Sequence, residues 1–174
     1  EFAGLKCLAY CDTSRLAVRT YQLMFDTTGE IKYSNLRYIK AKEMPQYDVL
    51  IAGFPCQTFS VMGRKEGFSD NRGQIIFHLV RILKERQPKC FLLENVKGLV
   101  THDQGRTLQI ILEELDSAGY AVTYKVLNSL DFGVPQMRQR VYFIGVRKDI
   151  TLSLDDFCWP EPIAPPPLEE FLVD

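Results

Sequence analysis

A cysteine, a carboxylate and a pair of arginines stand at points in this sequence where side chains commonly meet ligands. Cys56 follows Gly53-Phe54-Pro55, at the end of a short apolar run over residues 48–52. That run reads as a buried parallel strand. In open α/β sheets, ligands gather just beyond the carboxyl ends of strands. A thiol placed there suits nucleophilic attack if its surroundings help it to lose its proton. Taken alone, Cys56 reads first as a small buried hydrophobe, as most free cysteines are. Glu94 closes a second apolar run, Cys90-Phe91-Leu92-Leu93. A carboxylate at such a place must be solvated, paired or protonated, although a surface acid at a loop entry also fits. Arg138 and Arg140 take alternate positions leading into a further strand, which points both to one face; a solvated basic edge is the plainer reading.

Strands and helices alternate around these residues. Residues 5–10 form an apolar run that ends at Cys11-Asp12, and Thr13 or Ser14 can cap the helix that follows. Leu16, Ala17, Tyr21 and Met24 recur in that helix at helical spacing, and Gly29 ends the unit. Residues 31–36 suit a short edge strand, and the polar stretch 37–46 leads into the strand before Cys56. Residues 58–71 are polar and punctuated by glycine, as expected of a functional surface loop. A helix begins near Arg72-Gly73 with an apolar stripe of Ile75, Ile76, Leu79, Val80 and Leu83, and stops at Gln87-Pro88. After the strand that ends at Glu94 comes a loop over 97–105. A helix carrying Leu108, Ile111, Leu112 and Leu115 follows, closed by Gly119. Two last strands, 120–126 and 141–146, have only a turn-rich loop between them and are expected to pair antiparallel. The pattern predicts one α/β domain with a mostly parallel sheet and an antiparallel strand near its C-terminal end. A proline-rich stretch from Trp159-Pro160 to Pro167 follows.

The 174 residues suffice for one domain with a true core. The chain is 46% hydrophobic and 25% charged, with no apolar run of membrane-spanning length. Its five cysteines are scattered, which suits a reducing compartment better than a disulfide framework. Cys7 and Cys11 lack the partners that a zinc site needs, so no metal is expected. A net charge of −1 argues weakly against nucleic-acid binding. Arg64-Lys65 and Arg138 to Arg140 still offer local basic patches.

Four segments in fixed order sharpen the reading: Gly53-Phe54-Pro55-Cys56-Gln57-Thr58-Phe59-Ser60, Gly67-Phe68-Ser69-Asp70-Asn71-Arg72-Gly73, Glu94-Asn95-Val96-Lys97, and Gln136-Met137-Arg138-Gln139-Arg140-Val141. With them the sequence resembles the DNA cytosine-C5 methyltransferases over residues 5–148. The resemblance implies a Rossmann-like sheet, S-adenosylmethionine as methyl donor and double-stranded DNA as substrate. It implies that Cys56 attacks C6 of cytosine, which makes C5 nucleophilic, and that Glu94 supports N3 of the ring. Burial is expected to favour the protonated form of Glu94. Arg140 is expected to reach the cytosine 2-oxygen, and Arg138 to orient the carboxylate and the nucleophile loop; Gln136 is expected to position backbone.

For the cofactor, the resemblance points to Asp12 at the ribose hydroxyls, Asn35 where the family usually has an aspartate facing the adenine amine, and Pro55, Leu36 and Ile75 as apolar contacts. Core packing is an equal rival for the last three. Residues 57–68 resemble a mobile catalytic loop that closes over a flipped base. Gln57, Ser60, Arg64 and Arg72 are the candidate DNA contacts. The setting implied is a bacterial restriction–modification methylase, cytoplasmic and nucleoid-associated, monomeric unless split between two polypeptides. A methyltransferase acting on tRNA and a non-catalytic nucleic-acid-binding relative are the rivals.

The sequence also departs from the family pattern. The glycine-rich turn after the family's first strand, the target-recognition region and the closing segment are absent. A fragment, one subunit of a split enzyme, or a chain closed over omitted segments would each explain this. Alone, the 174 residues are expected to bind cofactor poorly and to read no DNA sequence.

Overall fold

The computed structural model describes residues 4–55 and 75–163. Its first unit is β1 (Ala9–Cys11), α1 (Arg15–Met24) and β2 (Ile31–Tyr33), with the two strands paired parallel. Ser14 caps α1, its hydroxyl oxygen accepting the Ala17 N–H at 3.2 Å. Gly29 turns the chain toward β2 at φ +83°, a conformation that costs glycine little. β1 is shorter than the apolar run that announces it. Only Ala9–Cys11 finds a ladder partner, and Leu5 remains half exposed. The stripe expected on α1 is also shifted. Leu16 and Met24 face solvent, Val18 is the buried residue, and Tyr21 stacks against Tyr10 with ring centroids 4.8 Å apart. The helix turns toward β1 through Tyr21 and buries Val18, while Leu16 and Met24 stay exposed.

The second unit is larger. β3 (Val49–Gly53) pairs parallel with β4 (Cys90–Val96), with Gly53 opposite Glu94. α2 (Ile75–Arg86) lies between them in the chain. After β4, a short helical turn α3 (Gly98–Thr101) and a 3-10 turn precede α4 (Arg106–Ser117). These turns occupy the stretch expected to be a plain loop, because Leu99 is fully buried and anchors it to the core. β5 (Tyr120–Asn128) and β6 (Gln139–Arg147) form an antiparallel pair, and β6 also runs antiparallel to β4. The sheet order is therefore β3-β4-β6-β5, with β6 the reversed strand.

Side chains of α2 (Leu79, Leu83) and α4 (Ile111, Leu115) meet those of the sheet (Phe91, Leu93, Tyr120, Phe143) in one core. Each such side chain contributes roughly 1.5–3 kcal/mol on burial. The stripes expected on α2 and α4 are the buried ones, apart from the half-buried Ile75 and Leu112. Among the described residues the strands fall into two hydrogen-bonded groups, β1-β2 and β3-β4-β6-β5, rather than one ladder. A cavity lined by residues of both β1 and β3 lies between the two groups.

Candidate active site and cofactor cavity

Strand register builds the polar end of the sheet. Glu94 stands opposite Tyr142 on β6, and Val96 opposite Arg140. Residues two apart on a strand share a face, so Glu94 and Arg140 are diagonal neighbours. Arg140 Nε lies 2.8 Å from Glu94 Oε1, with the two side chains 19% and 34% exposed. Arg140 Nη1 also donates to the Gln139 carbonyl at 2.8 Å, which fixes the guanidinium plane. On the other side of β4, Gly53 presents no side chain. A methyl there would sit 3.4 Å from Glu94 Oε2. Glu94 is thus paired and partly solvated, and the burial expected for it is incomplete.

Asn95 performs a task that its place in the motif did not reveal. It is 2% exposed. Its Nδ2 donates to the Phe54 carbonyl at 2.9 Å, and its Oδ1 accepts the Val96 N–H at 2.8 Å. The Phe54 N–H donates to the Glu94 carbonyl at 3.3 Å. Phe54 is therefore held at both its amide and its carbonyl, just beyond the end of β3. A short polar side chain within the last residues of an otherwise apolar strand was the available signal: such a group, if buried, has to find partners.

Cys56, Gln57, Ser60, Arg64 and Arg72 lie outside the described residues. Arg138 lies just before β6 and is exposed. Its backbone N–H donates to Asn128 Oδ1 and its carbonyl accepts the Ser129 N–H, both at 3.1 Å. Among the described residues its side chain joins no ion pair, so Arg140 alone reaches Glu94. The ladder begins at Gln139, and the strand alternation that would align Arg138 with Arg140 is not imposed one residue earlier. At Gln136 the backbone is the anchored part, its carbonyl accepting the Ser129 hydroxyl at 2.6 Å.

Asp12, Asn35, Leu36, Pro55 and Ile75 all line the cavity between β1 and β3, whose volume is about 750 Å³. This is a usual size for a site that takes a nucleotide-sized ligand. Asp12 follows β1 and Asn35 follows β2, so both sit at carboxyl ends of strands. Asp12 Oδ1 accepts the Ser14 N–H at 2.7 Å, and among the described residues Oδ2 has no hydrogen-bond partner. Leu36 and Ile75 serve two ends at once: they wall the cavity and pack on the core. Met44 and Leu50 add apolar wall, and Cys11 joins it beside Asp12. Solvent reaches part of Cys11, yet desolvation and, second, the Asp12 carboxylate push its thiol above the ordinary range. Gly53 and Pro55 border the cavity, and Glu94 lies across Gly53 from it. An apolar slot with a free carboxylate oxygen and an amide at its strand-end margin suits a nucleoside with its sugar hydroxyls.

Comparison with known proteins identifies the relatives of this chain. The family model "C-5 cytosine-specific DNA methylase" matches residues 1–171. The type II methyltransferase M.NgoBI of Neisseria gonorrhoeae is 48% identical over 149 residues, 86% of this chain and 44% of the relative. The type II methyltransferase M.BsuFI of Bacillus subtilis is 44% identical over 156 residues, 90% of this chain and 37% of the relative. The chain spans less than half the length of either. A solved structure of DNMT2 from Spodoptera frugiperda superposes with a TM-score of 0.76 at 21% identity, covering 99% of this chain and 54% of the other, a likeness of fold. By its family model and these relatives, the chain belongs to the C-5 cytosine-specific DNA methylases.

Proposed function

We propose that the protein containing this chain methylates C5 of cytosine in double-stranded DNA, as the methylase of a restriction–modification pair. The Glu94–Arg140 ion pair beside the clamped Phe54 is the observation that carries this reading. Cys56 follows Phe54 by two residues in the sequence, and this reading makes it the nucleophile.

The chemistry assigned to the side chains follows. The Cys56 thiolate adds to C6 of a flipped cytosine, which breaks the ring conjugation and leaves an enamine-like C5. Covalent addition of this kind divides one difficult step into two easier ones. Negative charge develops toward N3, where Glu94 donates a hydrogen bond or a proton. Arg140 holds the carboxyl group in place and presents its remaining N–H donors to the 2-oxygen. S-adenosylmethionine, when bound, supplies the electrophilic methyl group. Asp12 holds the ribose through its free oxygen, and Leu36, Ile75 and Pro55 wall the base. Once C5 is methylated, its proton leaves and the thiolate is expelled from C6.

Gln57, Ser60, Arg64 and Arg72 belong to this reading as DNA contacts, and Arg138 as an additional basic group at the same end of the sheet. The protein acts in the cytoplasm, as a monomer. The deciding experiment incubates the full-length protein with S-adenosylmethionine and duplex DNA carrying 5-fluorocytosine, which cannot lose its C5 substituent as a proton. A denaturation-resistant protein–DNA adduct, abolished by Cys56→Ser, is expected. Its absence on every DNA tested, alongside an adduct with tRNA, would transfer the assignment to RNA. No adduct with either would leave a binding scaffold.

A further inference from the structure

The β4–β6 ladder ends at the site. Its last backbone pair is Val96 with Arg140, whereas Gln139 pairs only with Asn128 of β5. After Val96 the chain leaves the strand: Lys97 has helical dihedral angles (φ −51°, ψ −37°) and leads into α3. β4 thus offers Gln139 no further rung. The Lys97 side chain supplies one instead, its Nζ donating to Gln139 Oε1 at 2.9 Å. An ammonium only donates, so the amide oxygen is the atom that faces it. Among the described residues Lys97 has no carboxylate partner.

This bond joins the two strand ends that carry Glu94 and Arg140. The Gln139 carbonyl accepts Arg140 Nη1 at 2.8 Å, and Arg140 in turn holds Glu94 at 2.8 Å. Strand ends without partners fray. A frayed first residue of β6 would move the carbonyl on which the guanidinium rests, and Glu94 would lose its direction. We infer that Lys97 is a positioning residue for methyl transfer, which acts through Gln139 on Arg140 and touches no substrate. This role rests on the reading of Glu94 and Arg140 proposed above. Lys97 and Gln139 are both exposed, so the effect is that of one solvated hydrogen bond, not that of a lost acid. The plainer role for an exposed lysine at this end is contact with a DNA phosphate. The two roles part in experiment: phosphate contact acts on DNA binding, positioning on the rate after binding.

The test uses the full-length protein with duplex DNA and saturating S-adenosylmethionine. In Lys97→Met, single-turnover methyl transfer should slow by about three- to ten-fold, the effect of one hydrogen bond. DNA affinity by gel shift and the urea midpoint should stay close to wild type. Lys97→Arg, which keeps a donor, should recover most of the rate. Gln139→Ala should cause a similar loss, and Lys97→Met added to it should cost nothing more, because both act through one contact. A wild-type rate in Lys97→Met, losses that multiply in the double variant, or a loss that saturating DNA restores would each overturn the role given to Lys97. A wild-type protein that methylates no cytosine in duplex DNA would instead refute the reading of Glu94 and Arg140 underneath.

Discussion

Arg140 Nε lies 2.8 Å from Glu94 Oε1, and the pair is diagonal across the β4–β6 ladder. A carboxylate that ends an apolar strand has to be solvated, paired or protonated. Here it is paired, with part of its surface open to water. The guanidinium fixes the orientation of the carboxyl group while Gly53 leaves the space beside Oε2 clear. The arrangement gives Glu94 a defined direction rather than a deep burial site.

Replacing Glu94 by Gln keeps the shape and removes the acid. Single-turnover methyl transfer by the full-length protein should slow by about 10²–10⁴-fold, the usual range for losing an acid–base group. DNA binding, measured by gel shift, should change little. Near-normal turnover in Glu94→Gln would remove Glu94 from the reaction.

Arg140→Lys should lose most of that rate as well. A lysine ammonium cannot hold the carboxylate and at the same time present a planar fork to a second oxygen. Arg138→Lys, at an exposed position outside the ladder, should cost much less. Equal losses in the two variants, measured under single-turnover conditions, would contradict the distinction that β6 draws between them.

Asn95→Ala strips the Phe54 carbonyl and the Val96 N–H of their partner. The buried Phe54 carbonyl left unsatisfied costs about 1–3 kcal/mol, so the urea midpoint should fall. If Asn95 acts by fixing the approach to Cys56, kcat should drop with KM for S-adenosylmethionine nearly unchanged. A fall in stability at full kcat would make Asn95 structural only.

Cys11 provides a probe of the cavity independent of methyl transfer. Desolvation and the neighbouring Asp12 raise its pKa, which keeps the thiol protonated at neutral pH. Alkylation by iodoacetamide, followed by mass spectrometry, should be slower than for an ordinary thiol of pKa about 8.5, and should rise only at more alkaline pH. S-adenosylhomocysteine should protect Cys11. Rapid labelling at pH 7, or none of this protection, would count against the cavity as a cofactor site.

Gly145 on β6 has a purely steric role. A Cβ there would overlap the Phe91 ring, and Phe91 is fully buried against Tyr120 at a centroid distance of 5.1 Å. Gly145→Ala should destabilise the fold by about 1–3 kcal/mol or more through overpacking. The shift in urea midpoint checks this; an unchanged midpoint would mean that the Phe91 ring can move aside.

Much of the architecture could be read from residue order because it depends on local rules. Apolar period and flanking breakers marked α2, α4 and the strands ending at Gly53 and Val96. The short connection between the last two strands announced their antiparallel pairing. The motifs around Cys56, Glu94 and Arg140 pointed to a reaction class. Where burial decides, the reading failed: α1 shows the same helical period whichever side it buries, and only the tertiary packing chose Val18 and Tyr21 over Leu16 and Met24. Partnership over distance was likewise out of reach. Glu94 meets Arg140, and not Arg138, because the β4–β6 register begins where it does. The chain names which groups are present; the packing of strands formed far apart in sequence decides which of them touch.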